Sequence, residues 1–237
     1  MHRLNLISGP RNISTALMYS FAQRQDTVVL DEPFYGFYLN KSGAEHPGKE
    51  DVMLDQPTDE KEVLKSIFSD WKKDVLFIKN MAHHIELMDE QYLNDVTNIF
   101  LIRNPTQIIA SYAQVIENPV MRDIGIEYQY HLFNRLVERG QRPLVVDSGV
   151  ILENPKKVLE KMCLASNIPF TMDMLQWPSG PKSYDGVWAK HWYANVHAST
   201  GFEKQPTSTR TLPRHLEPLN AKAHHFYEKL LAFSIKS

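Results

Sequence analysis

The run LNLISGPRNISTALMYSFAQR, residues 4–24, limits what this chain can fold into more than any other stretch. Residues 4–7 are an apolar, strand-like run, residues 8–12 (SGPRN) form a turn, and Leu17, Met18 and Phe21 then recur at helical spacing. A strand that turns directly into a helix points the helix's unpaired N-terminal amides, and the positive end of its dipole, beyond the strand. Such a terminus collects anions with little help from charged side chains. Here the amides near Asn12 and Ile13, the hydroxyls of Ser14 and Thr15, and the Arg11 guanidinium would converge on phosphate or sulfate oxygens. Gly9 is expected to let the backbone turn tightly. The competing reading is a plain strand-to-helix turn in which Ser14 only caps the helix. An ordinary ATP- or GTP-binding loop, G-x-x-x-x-G-K-[ST], is disfavoured because its second glycine and its lysine are missing.

A second stretch repeats the design. Residues 98–102 (NIFLI) are another short apolar strand that runs into Arg103-Asn104-Pro105 and a helix carrying Ile108, Ile109 and Tyr112, with Ser111 eight residues after Arg103. Strand–PRxxST–helix, followed by strand–RNP–helix with that serine, resembles the sulfotransferase family. Residues 76–80 (LFIKN) are similar to the family's strand ending in I-K-T-H, and Lys182 with residues 186–191 (GVWAKH) is similar to its late R-K-G-x-x-G-D-W-K-x-H loop. The resemblance implies an α/β, three-layer fold: a mostly parallel sheet flanked by helices, in P-loop NTPase-like architecture. It implies 3′-phosphoadenosine-5′-phosphosulfate (PAPS) as sulfuryl donor. The loop of Arg11, Asn12, Ile13, Ser14 and Thr15 would hold the 5′-phosphosulfate, and Arg103, Ser111 and Lys182 the 3′-phosphate. Lys79 would neutralise the leaving phosphate. The chain departs from the family pattern at Met81, where the catalytic histidine usually stands, and at Pro181, where an arginine does.

Bulk properties set the frame for such a site. A length of 237 residues, 43% hydrophobic and 23% charged, suits a single α/β domain over 1–237 with one sizeable core. A net charge of -2 gives no ground for a nucleic-acid or membrane partner, so any anion site must be local. Cys163 is the only cysteine, which excludes an intrachain disulfide and fits a reducing compartment. No signal-peptide core and no apolar run of roughly 20 residues is found, so a cytoplasmic location is expected.

The remaining chemistry clusters at strand ends. Residues 27–30 (TVVL) read as a strand whose end carries Asp31 and Glu32, and ligands bind beyond the carboxyl ends of strands in such sheets. Glu32 is thus a candidate base, unless both acids merely pair with Arg11 or Arg24. After the buried strand 75–78 come Lys79, which could instead be a solvated cation, and then His83 and His84 on a short helix. An imidazole, with its ordinary pKa of about 6.5, can take a proton from an acceptor hydroxyl near neutral pH. Without an H-E-x-x-H or Cys/His cluster beside them, the two histidines argue against a metal.

Elsewhere the pattern gives helices near 60–71, 105–115, 124–139, 154–165 and 219–233 and a strand at 144–146. Ile126, Tyr130, Phe133 and Val137 form one expected core face, and Phe226, Leu230 and Phe233 another, while Tyr128, Gln129 and His131 are candidates to face the cleft. Residues 36–60 read as a long polar loop, and 170–213, rich in Pro, Gly and Trp, as a cover; both are candidate lid or acceptor segments. The expected activity is transfer of a sulfuryl group to a hydroxyl or amine of a small-molecule or glycan acceptor. Two alternatives stand beside it: a P-loop kinase in which Asp31 holds Mg²⁺, and a non-catalytic nucleotide-binding module, which Met81 keeps open.

Overall fold

The computed structural model describes residues 1–114, 116–203 and 211–236. Five strands, β1 (His2–Ser8), β2 (Thr27–Asp31), β3 (Val75–Met81), β4 (Thr97–Ile102) and β5 (Leu144–Asp147), form one sheet in the order β2-β3-β1-β4-β5. Every pairing is parallel. Along β4, Ile99 and Leu101 enter one core while Phe100 and Ile102 enter the other, so both sheet faces are covered. That is why the strands read as unbroken apolar runs and not as alternating ones.

The helices are α1 (Ser14–Ala22), α2 (Tyr35–Ser42), α3 (Lys49–Asp55), α4 (Glu60–Ile67), α5 (Pro105–Tyr112), α6 (Met121–Ile124), α7 (Ile126–Glu138), α8 (Ser148–Glu153), α9 (Pro155–Ala165), α10 (Ala189–Trp192), α11 (Ala194–His197) and α12 (Glu217–Leu231). Helices α1, α8 and α9 cover one face of the sheet; α4, α5, α7 and α12 cover the other. Helix starts follow local chemistry. Asn104, just ahead of Pro105, accepts from Thr106 N, Asn154, just ahead of Pro155, accepts from Lys157 N, and Asp59 caps α4 in the same way. The architecture is the α/β, P-loop-like one that the resemblance implied.

Several expectations need correction. Residues 36–60 are not one loop but contain most of α2 and all of α3. Helix α2 buries Tyr35, Gly36, Phe37, Tyr38 and Leu39 in succession, so it shows no one-sided periodicity to read. Tyr35, Tyr38 and Leu39 build a third, smaller core with Val52, Trp188 and Tyr193, while Phe37 joins the core on the α4, α5, α7 and α12 side of the sheet. Helix α4 stops at Ile67, and Trp71 folds back to donate to the Ser66 carbonyl at 3.0 Å. The helix expected at 124–139 is split by Gly125, whose φ of 75° ends α6. Its buried face is Ile126, Gln129, Leu132, Phe133 and Leu136; Val137 is 45% exposed. Phe226 and Leu230 are buried as expected, but Phe233 lies past the end of α12 and is 63% exposed. Helix α8 starts on the Asp147 carboxylate, which accepts from Gly149 and Val150, and with only six residues is too short to show a helical period in the sequence. The expected end of the 105–115 helix, and residues 204–210 of the cover, lie outside the described residues. Among the described residues, no helix is long and apolar enough to cross a membrane.

Gly9 serves contact, not turning. It does not adopt a left-handed conformation, but a Cβ there would fall 2.3 Å from the Ile124 carbonyl oxygen. Gly9→Ala is expected to lower the unfolding free energy by about 1–3 kcal/mol, the scale of overpacking against backbone. An unchanged urea midpoint would disprove this.

Candidate active site

The loop between β1 and α1 is held in a strained shape. Arg11 and Ile13 both have left-handed φ values, 56° and 46°. Such residues cost of order 1–3 kcal/mol each and persist only where the surroundings over-determine them. Here the Asn12 amide donates to the Leu101 carbonyl at 2.6 Å, pinning the loop to β4. Gln129 packs beneath. With its amide oriented to satisfy both ends, it donates to the Ile7 and Leu101 carbonyls, both at 3.2 Å, and accepts from Gly9 N at 3.3 Å. Gln129 therefore supports the loop from below and does not face the cleft. Ile13 occupies the cap position of α1, so Ser14 is the first helical residue and not an N-cap. No side chain among the described residues caps α1, which leaves its first-turn amides available to an outside partner.

The second loop joins the first. Arg103 donates to the Arg11 carbonyl at 2.8 Å and to Gln107 at 3.0 Å, while Arg11 Nε donates to Ser111 Oγ at 3.0 Å. Burial lowers the Arg103 guanidinium from its ordinary pKa; Asp147 works against this and the neighbouring Arg11 charge adds to it. Two guanidiniums brought together at a helix N-terminus form a donor set suited to a multiply charged anion.

Across the same cavity lies a buried charge cluster. The Lys79 ammonium donates to Asp31 Oδ1 (2.8 Å), Glu32 Oε1 (2.6 Å) and the Tyr193 hydroxyl (2.6 Å). With the side chain 1% exposed, it is not a solvated strand-end cation. Burial alone would pull the ammonium's pKa down, but Asp31 and Glu32 raise it well above the ordinary lysine range. Asp31 also accepts from Tyr193 and from the Gly186 amide. Its carboxylate is thus committed to Lys79 and to the cover, which weakens the kinase reading that needed it for Mg²⁺. Neither acid pairs with Arg24, which binds Asp26 at 2.7 Å instead.

Met81 ends β3, and the next turn, the 3-10 segment Ala82–His84, brings both histidines back to the cavity. His84 is stacked between two rings, Tyr35 at 4.3 Å and Tyr38 at 5.0 Å. Burial, helped by the neighbouring His83, holds its pKa well below the ordinary imidazole value. Burial lowers His83 to about 3, with His46 and Arg122 acting in the same direction. Burial therefore favours the neutral form of both rings and, by the same desolvation, makes each a weaker base than a free imidazole.

Arg11, Asn12, Ile13, Ser14, Thr15, Arg103, Ser111, Glu32, Lys79, His83 and His84 all line one cavity of about 780 Å³. Lys182 does not. Its ammonium is turned onto the carbonyls of Pro178, Ser179 and Gly180, and its segment is anchored through Asp185, which accepts from Tyr19 at 2.7 Å. Tyr128 and His131 face a second cavity, of about 370 Å³, which shares His83 with the first. Sequence reasoning missed His46, whose Nδ1 lies 2.9 Å from the Tyr35 hydroxyl, and Tyr193. No spacing marked either; only the aromatic density of 170–213 hinted at Tyr193. Of the three tryptophans in that cover, Trp177 is core, Trp188 is buried in the third core and also lines the cavity, and Trp192 lines the cavity.

Known proteins place this geometry. The chain is 33% identical over 215 residues to branched-chain-amino-acid aminotransferase-like protein 2 of Arabidopsis thaliana, covering 90% of this chain and 38% of that one. It is 34% identical over 208 residues to the like-named protein 1 of the same plant, covering 87% of this chain and 37% of that one. The chain thus spans well under half the length of these curated relatives. Two solved structures share the fold. They are a sulfotransferase domain from the curacin biosynthetic pathway (14% identity, TM-score 0.58, 100% of this chain and 99% of that one) and a sulfotransferase from Alicyclobacillus acidocaldarius (12%, 0.59, 99% and 97%). A family model described as a sulfotransferase domain matches residues 2–233, from the first strand to just beyond the last helix. The chain belongs to the sulfotransferase family.

Proposed function

We propose that the protein moves a sulfuryl group from PAPS to a hydroxyl or amine of a small-molecule acceptor, and that it does so in the cytoplasm. The observation that carries this reading is a single cavity with two interlocked guanidiniums at a helix N-terminus on one side and neutral imidazoles on the other. PAPS supplies the sulfuryl group on a phosphosulfate anhydride. Arg11, the amides of Asn12 and Ile13 and the hydroxyls of Ser14 and Thr15 would hold the phosphosulfate end, and Arg103 with Ser111 the 3′-phosphate. A neutral imidazole would hold the acceptor's proton, and the positive field of Arg11 would favour negative charge on the leaving side; the Lys79 ammonium, expected from the resemblance to neutralise the leaving phosphate, is instead committed to Asp31 and Glu32. His46 from 36–60 and Trp188 and Trp192 from 170–213 would wall the acceptor side, which makes those segments the acceptor elements.

Isothermal titration with 3′-phosphoadenosine-5′-phosphate, with ATP plus Mg²⁺ in parallel, tests the donor site. Micromolar binding of the bisphosphate and none of ATP is expected; the reverse would restore the kinase reading. Arg11→Ala and Arg103→Ala are each expected to weaken the bisphosphate by roughly 1.5–3 kcal/mol, about 10- to 150-fold. Unchanged affinity in both variants would sink the assignment.

A further inference from the structure

We infer, resting on the reading above, that His84 takes the acceptor's proton through Nε2, and that Glu32 is the positioning residue that holds His84 in the required tautomer. Glu32 stands between two partners. Its Oε1 accepts from Lys79 at 2.6 Å, and its Oε2 lies 3.5 Å from His84 Nδ1. The contact is longer than the 2.7–3.2 Å of a formed hydrogen bond, but catalytic hydrogen bonds in unliganded sites are often long and tighten in the reactive complex.

His84 Nδ1 is buried and has no hydrogen-bond partner among the described residues. An unsatisfied buried nitrogen is costly, and a proton on Nδ1 aimed at the Glu32 carboxylate is the arrangement that relieves it. Nδ1–H leaves the Nε2 lone pair as the only basic position of the ring. Stacking on Tyr35 at 13° and on Tyr38 at 28° fixes the ring plane, so the ring has little freedom to turn its other edge toward Glu32.

The backbone at Glu32 is built for this placement. Its φ of 45° is left-handed, yet its N–H donates to the Lys79 carbonyl at 2.8 Å, and its own carbonyl accepts from Tyr35 N (2.9 Å) and Gln56 Nε2 (3.1 Å). Three hydrogen bonds hold a strained residue whose carboxylate then bridges lysine and histidine. Burial raises the Glu32 carboxyl from its ordinary pKa against the Lys79 charge, but both carboxylate oxygens are already turned to partners, Oε1 to Lys79 and Oε2 to His84. His83 stands edge-on to Tyr38 at 5.1 Å, and no carboxylate lies within ion-pair distance of its ring among the described residues.

In the transfer, the acceptor oxygen bonds sulfur as its O–H bond breaks and the proton passes to His84 Nε2. The sulfur's bond to the donor phosphate oxygen breaks, and that electron pair leaves with the bisphosphate. The imidazolium so formed faces the Glu32 carboxylate and then gives its proton to water.

The test is a long-range ¹⁵N–¹H histidine spectrum of the labelled full chain at pH 7, assigned to His84. Wild type is expected to show the Nδ1–H tautomer, the minority form of free imidazole. In Glu32→Gln the amide oxygen must face Lys79, so the amide NH₂ faces Nδ1 and the ring is expected to switch to Nε2–H. A wild-type Nε2–H tautomer, or a Glu32→Gln spectrum identical to wild type, overturns the inference. Bisphosphate binding measured on the same samples reports separately on the donor site, so failure of the functional reading and failure of the tautomer assignment are distinguishable.

Discussion

Lys79→Met is expected to lower the unfolding free energy by about 3–5 kcal/mol, the cost of removing one partner from a buried ion pair and leaving its carboxylates uncompensated. Asp31 and Glu32 would both remain buried, and burial already raises Glu32 from its ordinary pKa against the opposing Lys79 charge. A methionine matches the stem in length but gives nothing to either carboxylate. The loss would reach beyond β2 and β3. Lys79 also donates to Tyr193, whose hydroxyl accepts from Trp188 Nε1 at 3.1 Å, so one of the cover's attachments to the strand ends would be lost while Asp31 keeps its own bonds to Tyr193 and Gly186. Urea unfolding measures the change. A difference under about 1 kcal/mol would place the pair among those that barely outweigh their desolvation and would refute the prediction.

His84→Gln is expected to reduce turnover by about 10²–10⁴-fold, the usual contribution of a positioned general base, while bisphosphate affinity stays near wild type. Glutamine keeps polarity and approximate size but cannot take the proton. The wild-type pH profile carries a matching signature. The active form is the neutral imidazole, and burial lowers the pKa of His84, so less of it protonates at a given acidic pH. Activity is therefore expected to persist below pH 6.5, where an ordinary histidine base would be half protonated. A profile already falling at pH 7 with kcat unchanged in His84→Gln would assign the proton to another group.

The legible parts of this protein share one property: their causes are local. The strand at 98–102, the helix opening at Asn104-Pro105 and the one opening at Asn154-Pro155 depend on side chains within a few residues of the backbone they shape. Two of the misread parts depend on partners far along the chain. Helix α2 is buried by residues more than 140 positions away, such as Trp188, so it carries no amphipathic stripe. Gly9 looks like a turn glycine until Ile124 is brought against it.

The candidate site divides in the same way. By itself, the sequence determined that two strand-to-helix turns carry Arg11 and Arg103, because a strand, a turn and an amphipathic helix are each written in consecutive residues. Only the tertiary structure decided that Arg11 would meet Ser111 across 100 positions, that Glu32 would bridge Lys79 and His84, and that Lys182 would turn onto the carbonyls of Pro178, Ser179 and Gly180. A parallel sheet brings the carboxyl ends of distant strands together at one edge, and which side chains converge there follows from strand order, which no local pattern records.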